Sequence, residues 1–219
     1  MPTPTGNENL SGALTLGQSI CWDENVGYVM GADMNPDTDC SGFIGYCLSQ
    51  NGFNVPRRWN TTSMIPTLQQ YPGFAEYIWN SSFSWQHGDI AVYDEGGGAN
   101  GHTFFYAENV IGYTSNDPVN GGSSTGILQR ARIEASSDRG RPQTGDQDNG
   151  YGMHPEVWVH PFSFSQNGHT WHIFRWGGSP APHLSAVKIG IIGKKKRPHT
   201  VFNETGGTWK EYFFIRKKK

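Results

Sequence analysis

Apolar positions change period along the chain, and the change divides it. Residues 10–30 carry spaced apolar side chains that predict a first helix. The stretch "NPDTD" (35–39) then interrupts it, because Pro36 is disfavoured inside a helix and Thr38 or Asp39 can cap the next one. From Cys40 onward Phe43, Ile44, Cys47 and Leu48 fall on one helical face, and Asn51-Gly52 stops the pattern, predicting a helix over 40–51. A shorter helix is expected around Thr62–Tyr71, weakened by Pro66.

Beyond it the pattern alternates. "DIAVYD" (89–94), "HTFFYAENV" (102–110), "ILQRARIEA" (127–135) and "HTWHIFRW" (169–176) read as strands. "GGGAN" (96–100) is a turn, and 114–126 and 136–156 are loops, the second long enough to suggest function or mobility. A linker is expected at 177–183, followed by two short strand candidates, "AVKIGII" and "EYFFI". Helices followed by consecutive antiparallel strands argue for an α+β fold rather than alternating α/β.

Composition agrees. Eight tryptophans among 219 residues supply a core, and 29 glycines favour a loop-rich protein over a helical bundle. No apolar run approaches the length of a membrane span, and "MPTPTGNENLSG" does not read as a secretory signal. Charge is unevenly placed. Residues 1–187 hold seven arginines and 17 acidic residues, a net of −10, whereas 188–219 hold ten Lys/Arg against Glu204 and Glu211, a net of +8. Such a split marks a boundary. A domain over 10–178 and a basic segment over 184–219 are therefore expected. The segment is either a solvated tail or an attachment for an acidic partner or surface. No nucleic-acid partner is expected.

Three cysteines cannot form a fully paired framework, and Cys40 and Cys47 lie roughly 10 Å apart along a helix. Free thiols are expected, with Cys47 in the core. Cys40 differs because it opens its helix. Unpaired N–H groups at a helix start favour a thiolate and can stabilise an oxyanion on an attacked carbonyl. Ser41 and Gly42 leave the approach uncrowded. A thiol nucleophile needs a base, and the base an orienting group. His102 opens a strand after a glycine-rich turn. Glu134 lies on the next strand, where antiparallel neighbours come within about 5 Å. Asp89 reads as a structural cap. Asp33, Asn35, Asp37 and Asp39 alternate as in a calcium loop, but Thr38 and Ile44 stand where such a loop needs glycine and glutamate, so solvated carboxylates are expected. His154, His160, His169 and His172 lack zinc-site spacing. No metal or cofactor is expected.

"DCSGFIGYCL", "HGDIAVYD…GHTFFYAENVIGY" and "RIEASS" together resemble the NlpC-like cysteine peptidases, papain-like peptidoglycan hydrolases whose clan includes the CHAP amidases. The resemblance spans roughly residues 15–176. Its pattern is Asp-Cys-Ser-Gly at a helix start (Asp39 to Gly42), Gly-Asp opening one strand (Gly88-Asp89), Gly-His opening the next (Gly101-His102), and a polar residue on the third (Glu134). It implies a papain-like fold, a Cys40–His102–Glu134 mechanism with Tyr28 and Ser41 on the substrate side, and bacterial peptidoglycan as the partner cleaved. The third member is commonly His, Asn or Gln in the nearest relatives, with Glu elsewhere in the clan. The ending "GGTWKEYFFIRKKK" is similar to Gly-Thr-Trp-Lys segments that close some phage tail and virion proteins. It implies attachment of 184–219 to other tail proteins, and a location in the virion or at the bacterial wall. A structural tail component that keeps the scaffold, and a free phage endolysin, are the alternatives.

Overall fold

In the computed structural model, residues 2–21, 26–35, 37–96, 100–114, 125–136 and 157–178 are described. They form three helices and a six-stranded antiparallel sheet, an α+β architecture. The chain divides into two compact units, Met1–Ala181 and Pro182–Lys219, and every helix and strand given below belongs to the first. The expected tail strands and most of the 136–156 loop and 177–183 linker lie outside the described residues, as does His154.

Helix α1 runs over Leu10–Ile20, with the Asn9 side chain accepting from Gly12 N–H at 2.8 Å. It is half the expected length. Cys21 closes it, and the described residues from Val26 do not continue it: Tyr28 forms a short bridge with Thr38, beside which Val29 N–H donates to the Thr38 carbonyl at 2.9 Å, and Gly31 takes φ +81°. Helix α2 is Cys40–Ser49, close to expectation. Helix α3 is Thr61–Gln69, started by a reciprocal Asn60–Ser63 capping box. It continues through Pro66, with buried Met64 and Leu68 anchoring it on either side.

The strands are β1 (Phe74–Ile78), β2 (Ile90–Tyr93), β3 (His102–Tyr113), β4 (Thr125–Ala135), β5 (Val157–Pro161) and β6 (His172–Trp176), in the order β1-β6-β2-β3-β4-β5. Two were not expected. Strand β1 is mostly exposed and so lacks an apolar alternation, and β5 is a short apolar run beside the long loop. The β3–β4 hairpin is also longer than expected. Pairing keeps one register from Phe105↔Ile133 to Tyr113↔Thr125, through Asn109 at φ +54°.

The two faces of the sheet are covered differently. Residues such as Phe105 and Ile133 pack under the helices, with Phe43 edge-on to Phe105 at 6.3 Å. Gly17 allows α1 to close on Phe43 and Ile133. On the opposite face Phe104, Tyr106, Trp171 and Ile173 form an aromatic cluster, covered by Trp79, Phe83, Trp85, Phe162 and Phe164 from loops. The candidate site lies where this second layer meets the start of α2.

Candidate active site

Asp39 builds the start of α2. Its Oδ1 accepts from Gly42 N–H at 2.6 Å and from the Ser41 hydroxyl at 2.9 Å, and its Oδ2 accepts from Gly31 N–H at 2.8 Å. One carboxylate thus caps the helix and ties the preceding loop to it. Asp39 is buried rather than solvated, and Asp37 accepts from Gly27 N–H at 3.0 Å, so two of the four acidic-loop residues serve the backbone. The missing side chain of Gly42 gives space to the Ala32 carbonyl, so that position serves the loop rather than an incoming substrate. Ser41 is buried, and its hydroxyl also reaches the Trp59 carbonyl at 2.9 Å while Trp59 Nε1 donates to the Ser41 carbonyl at 2.7 Å.

This cap leaves Cys40 as the first helical residue, 6% exposed, and fixed between two partners. Tyr28, held by the bridge to Thr38, hydrogen-bonds both the side chain and the backbone of Cys40. Burial first, then the charges at Cys40 and Asp39, push its phenol well above the usual range, so it remains a proton-bearing donor at any working pH. His102 is the second partner of the sulfur.

His102 opens β3 with 20% of its side chain exposed, and its Nε2 meets Glu134 Oε2 at 2.9 Å. That leaves Nδ1 as the ring nitrogen for the sulfur. Burial acts to lower the affinity of the imidazole for its proton, but the hydrogen bonds and charges of Cys40 and Glu134 outweigh it and raise its pKa to about 9. Glu134 is fully buried on β4. Burial alone would raise its pKa; the charge of His160 and the hydrogen bonds from His102 and His160 instead hold it well below the carboxylate range. His160 Nε2 meets Glu134 Oε1 at 2.7 Å, and Arg132 Nη1 lies 3.7 Å from Oε2.

A cleft of about 350 Å³ opens beside His102. Tyr93, paired with His102 across β2 and β3, stacks on His169 at 4.2 Å, and His169 is pinned by Glu95 at 2.7 Å. Phe164 and Trp171 continue this wall, and Arg132 and Asn167 add polar groups. Among the described residues no carboxylate lines the cleft, and those that do offer aromatic surface and cationic or neutral donors.

The structure therefore brings together Cys40, His102, Glu134 and Tyr28, and places Ser41 beneath the helix start. All three cysteines are free, with Cys21 and Cys47 in the core. Asp89 is buried and structural: Arg175 donates to both its oxygens at 2.8 Å. His172 pairs with Glu76 at 2.6 Å, away from the cysteine's partners. Among the described residues no group of three or more His, Cys, Asp or Glu side chains is arranged to hold a metal ion. His160, weighed above only as a zinc ligand, is instead a partner of Glu134. Its only signal was the alternation in "VWVHP", which puts Trp158 and His160 on one face and Val157 and Val159 on the other. No protein-family model matches the chain, and no curated protein matches it significantly.

Proposed function

We propose that the chain is a papain-like cysteine hydrolase of the NlpC/CHAP type that cleaves peptide or amide bonds of bacterial peptidoglycan. The carrying observation is the ordered contact of Cys40, at a capped helix start, with His102, and of His102 with Glu134. A sulfur, an imidazole and a buried carboxylate in that order are what acyl transfer needs. The choice of peptidoglycan rests on the sequence resemblance.

In the proposed reaction the Cys40 sulfur attacks the amide carbonyl carbon while its proton resides on His102. The Tyr28 hydroxyl, which bonds Cys40 at the helix start, is the donor best placed for the oxyanion that forms. The Gly42 N–H is unavailable because Asp39 holds it. His102 then gives its proton to the leaving nitrogen as the C–N bond breaks. Water, deprotonated by His102, attacks the thioester, and the carboxylic acid product departs with the proton restored to the sulfur. Glu134 stays anionic and stabilises the imidazolium. Carriage on a phage tail through 184–219 is part of the same proposal and rests on the similarity of the chain's last residues to virion proteins.

Zymography on bacterial walls tests the reading. Wild type should clear the wall layer, and Cys40→Ala and His102→Ala should each lose at least about a hundredfold, the scale of removing a nucleophile or its base. Clearing by both variants at the wild-type rate would refute the mechanism. Mass spectrometry of the released fragments would then identify the bond.

A further inference from the structure

We infer that His160 is a positioning residue of the thiol site: from β5 it fixes the Glu134 carboxylate in the orientation that keeps His102 turned toward Cys40. The inference rests on the proposed hydrolase reading for its functional meaning, but its geometry stands independently. A glutamate carboxylate rotates about a broad terminal torsion, so one hydrogen bond to His102 would leave its plane loosely defined. Here the two oxygens are divided between two imidazoles, Oε2 to His102 at 2.9 Å and Oε1 to His160 at 2.7 Å. Two donors on two oxygens from neighbouring strands set the plane, and the plane sets the His102 ring.

His160 is itself held. It stacks on Trp158 at 4.1 Å with 23° between the rings. The register pairs Glu134 with Trp158 and Arg132 with His160, so these four side chains share one face of the sheet. At 2% exposed, His160 cannot touch a substrate, which makes it positioning rather than catalytic. The charged and titratable groups around Glu134 are His102 from β3, Arg132 from its own strand, His160 from β5, Cys21 at the end of α1, and Cys40 through His102. His160 leads the influences that keep the carboxyl ionised against its burial. Without it Glu134 takes up a proton at higher pH, and the His102–Cys40 pair loses its anchor from the acid side.

The test compares His160→Leu with His160→Gln, whose amide nitrogen can stand where the imidazole Nε2 stands, using two readouts on the full chain. The first is the pH profile of Cys40 alkylation by iodoacetamide, followed by mass spectrometry. The second is the steady-state kcat and KM of cell-wall peptide cleavage. His160→Leu should move the acid limb of alkylation up by about one pH unit, a tenfold change in proton affinity. It should also lower kcat roughly 10- to 100-fold at little change in KM, the usual scale for losing an outer-shell orienting partner. His160→Gln should recover most of both, and in a Glu134→Gln background His160→Leu should add no further loss. Wild-type profiles in His160→Leu, or losses that add to those of Glu134→Gln, would overturn the inference. If His160→Leu does not fold, His160→Gln decides: thiol reactivity reduced to the level of Glu134→Gln would overturn it. Alkylation needs no wall substrate. A wild-type protein that fails to cleave walls therefore refutes the substrate reading alone, and an unchanged alkylation profile in an active enzyme refutes the role of His160 alone.

Discussion

A buried carboxylate and a partly exposed imidazole set the pH window of the site from opposite sides. His102 has a folded pKa of about 9, above its ordinary 6.5, so what its cation contributes is complete below pH 6.5 and is lost as pH rises through 9. Glu134 is shifted the other way. Its contribution is complete above its ordinary 4.5 and is lost as pH falls toward its lowered value. Hydrolysis should therefore decline on the alkaline side near pH 9, where His102 no longer carries a proton for the leaving nitrogen. Glu134→Gln keeps an amide oxygen as acceptor but removes the carboxylate charge that, together with Cys40, raises His102, so the alkaline limb should move down toward 6.5. A pH–rate profile of kcat/KM on a soluble peptide substrate checks this, and an alkaline limb left in place would show that Glu134 does not govern His102. At this scale much was legible. Cys40, His102 and Glu134 are marked by residue type, by the cap before the helix and by the starts of strands. His160 was hidden because its role depends on the register of β4 against β5, and β5 has no signal strong enough to be read beforehand.

The elements owe their placement to small residues as much as to apolar ones. Helix α2 carries Phe43, Ile44, Cys47 and Leu48 into the core, as its spacing indicated, but its glycines decide how closely loops approach. A Cβ on Gly45 would meet the Pro56 and Arg57 carbonyls at 2.8 and 2.7 Å and Trp59 Nε1 at 2.8 Å. Two of those atoms are backbone and cannot rotate away. Gly45→Ala should therefore cost about 1–3 kcal/mol, the scale of overpacking, despite the better helix propensity of alanine. Urea unfolding followed by circular dichroism measures it, and a variant as stable as wild type would mean that the 56–59 segment yields freely. The length of α1 was misread for a related reason. Residues 26–30 look helical in isolation, but the bridge between Tyr28 and Thr38 ties them to a partner segment that only the fold reveals. Such non-local pairing also created β1, whose side chains are mostly exposed and whose identity comes from the β6 ladder beside it.

Across the whole molecule, charge divides the chain where its two compact units divide. The unit Met1–Ala181 holds all the described helices and strands and carries the net charge of −10, whereas the lysines lie wholly beyond it. On the proposed function, a unit with that charge is repelled by anionic wall polymers, and the basic segment is the part expected to associate with a wall. Ending the chain after Ala181 should leave alkylation of Cys40 and cleavage of soluble wall peptides within about twofold of wild type, since no described side chain of the site lies beyond it. Binding to intact walls in a pelleting assay should drop. The full-length chain should be released as salt rises toward 1 M, where screening shortens the Debye length to about 3 Å, because exposed charge attraction weakens with ionic strength. If the shortened chain bound walls as well as the whole one at low salt, attraction would have to come from the aromatic cleft beside His102 instead. Tyr93→Ala would then be the variant that weakens binding, since Tyr93 forms the stacked wall of that cleft with His169.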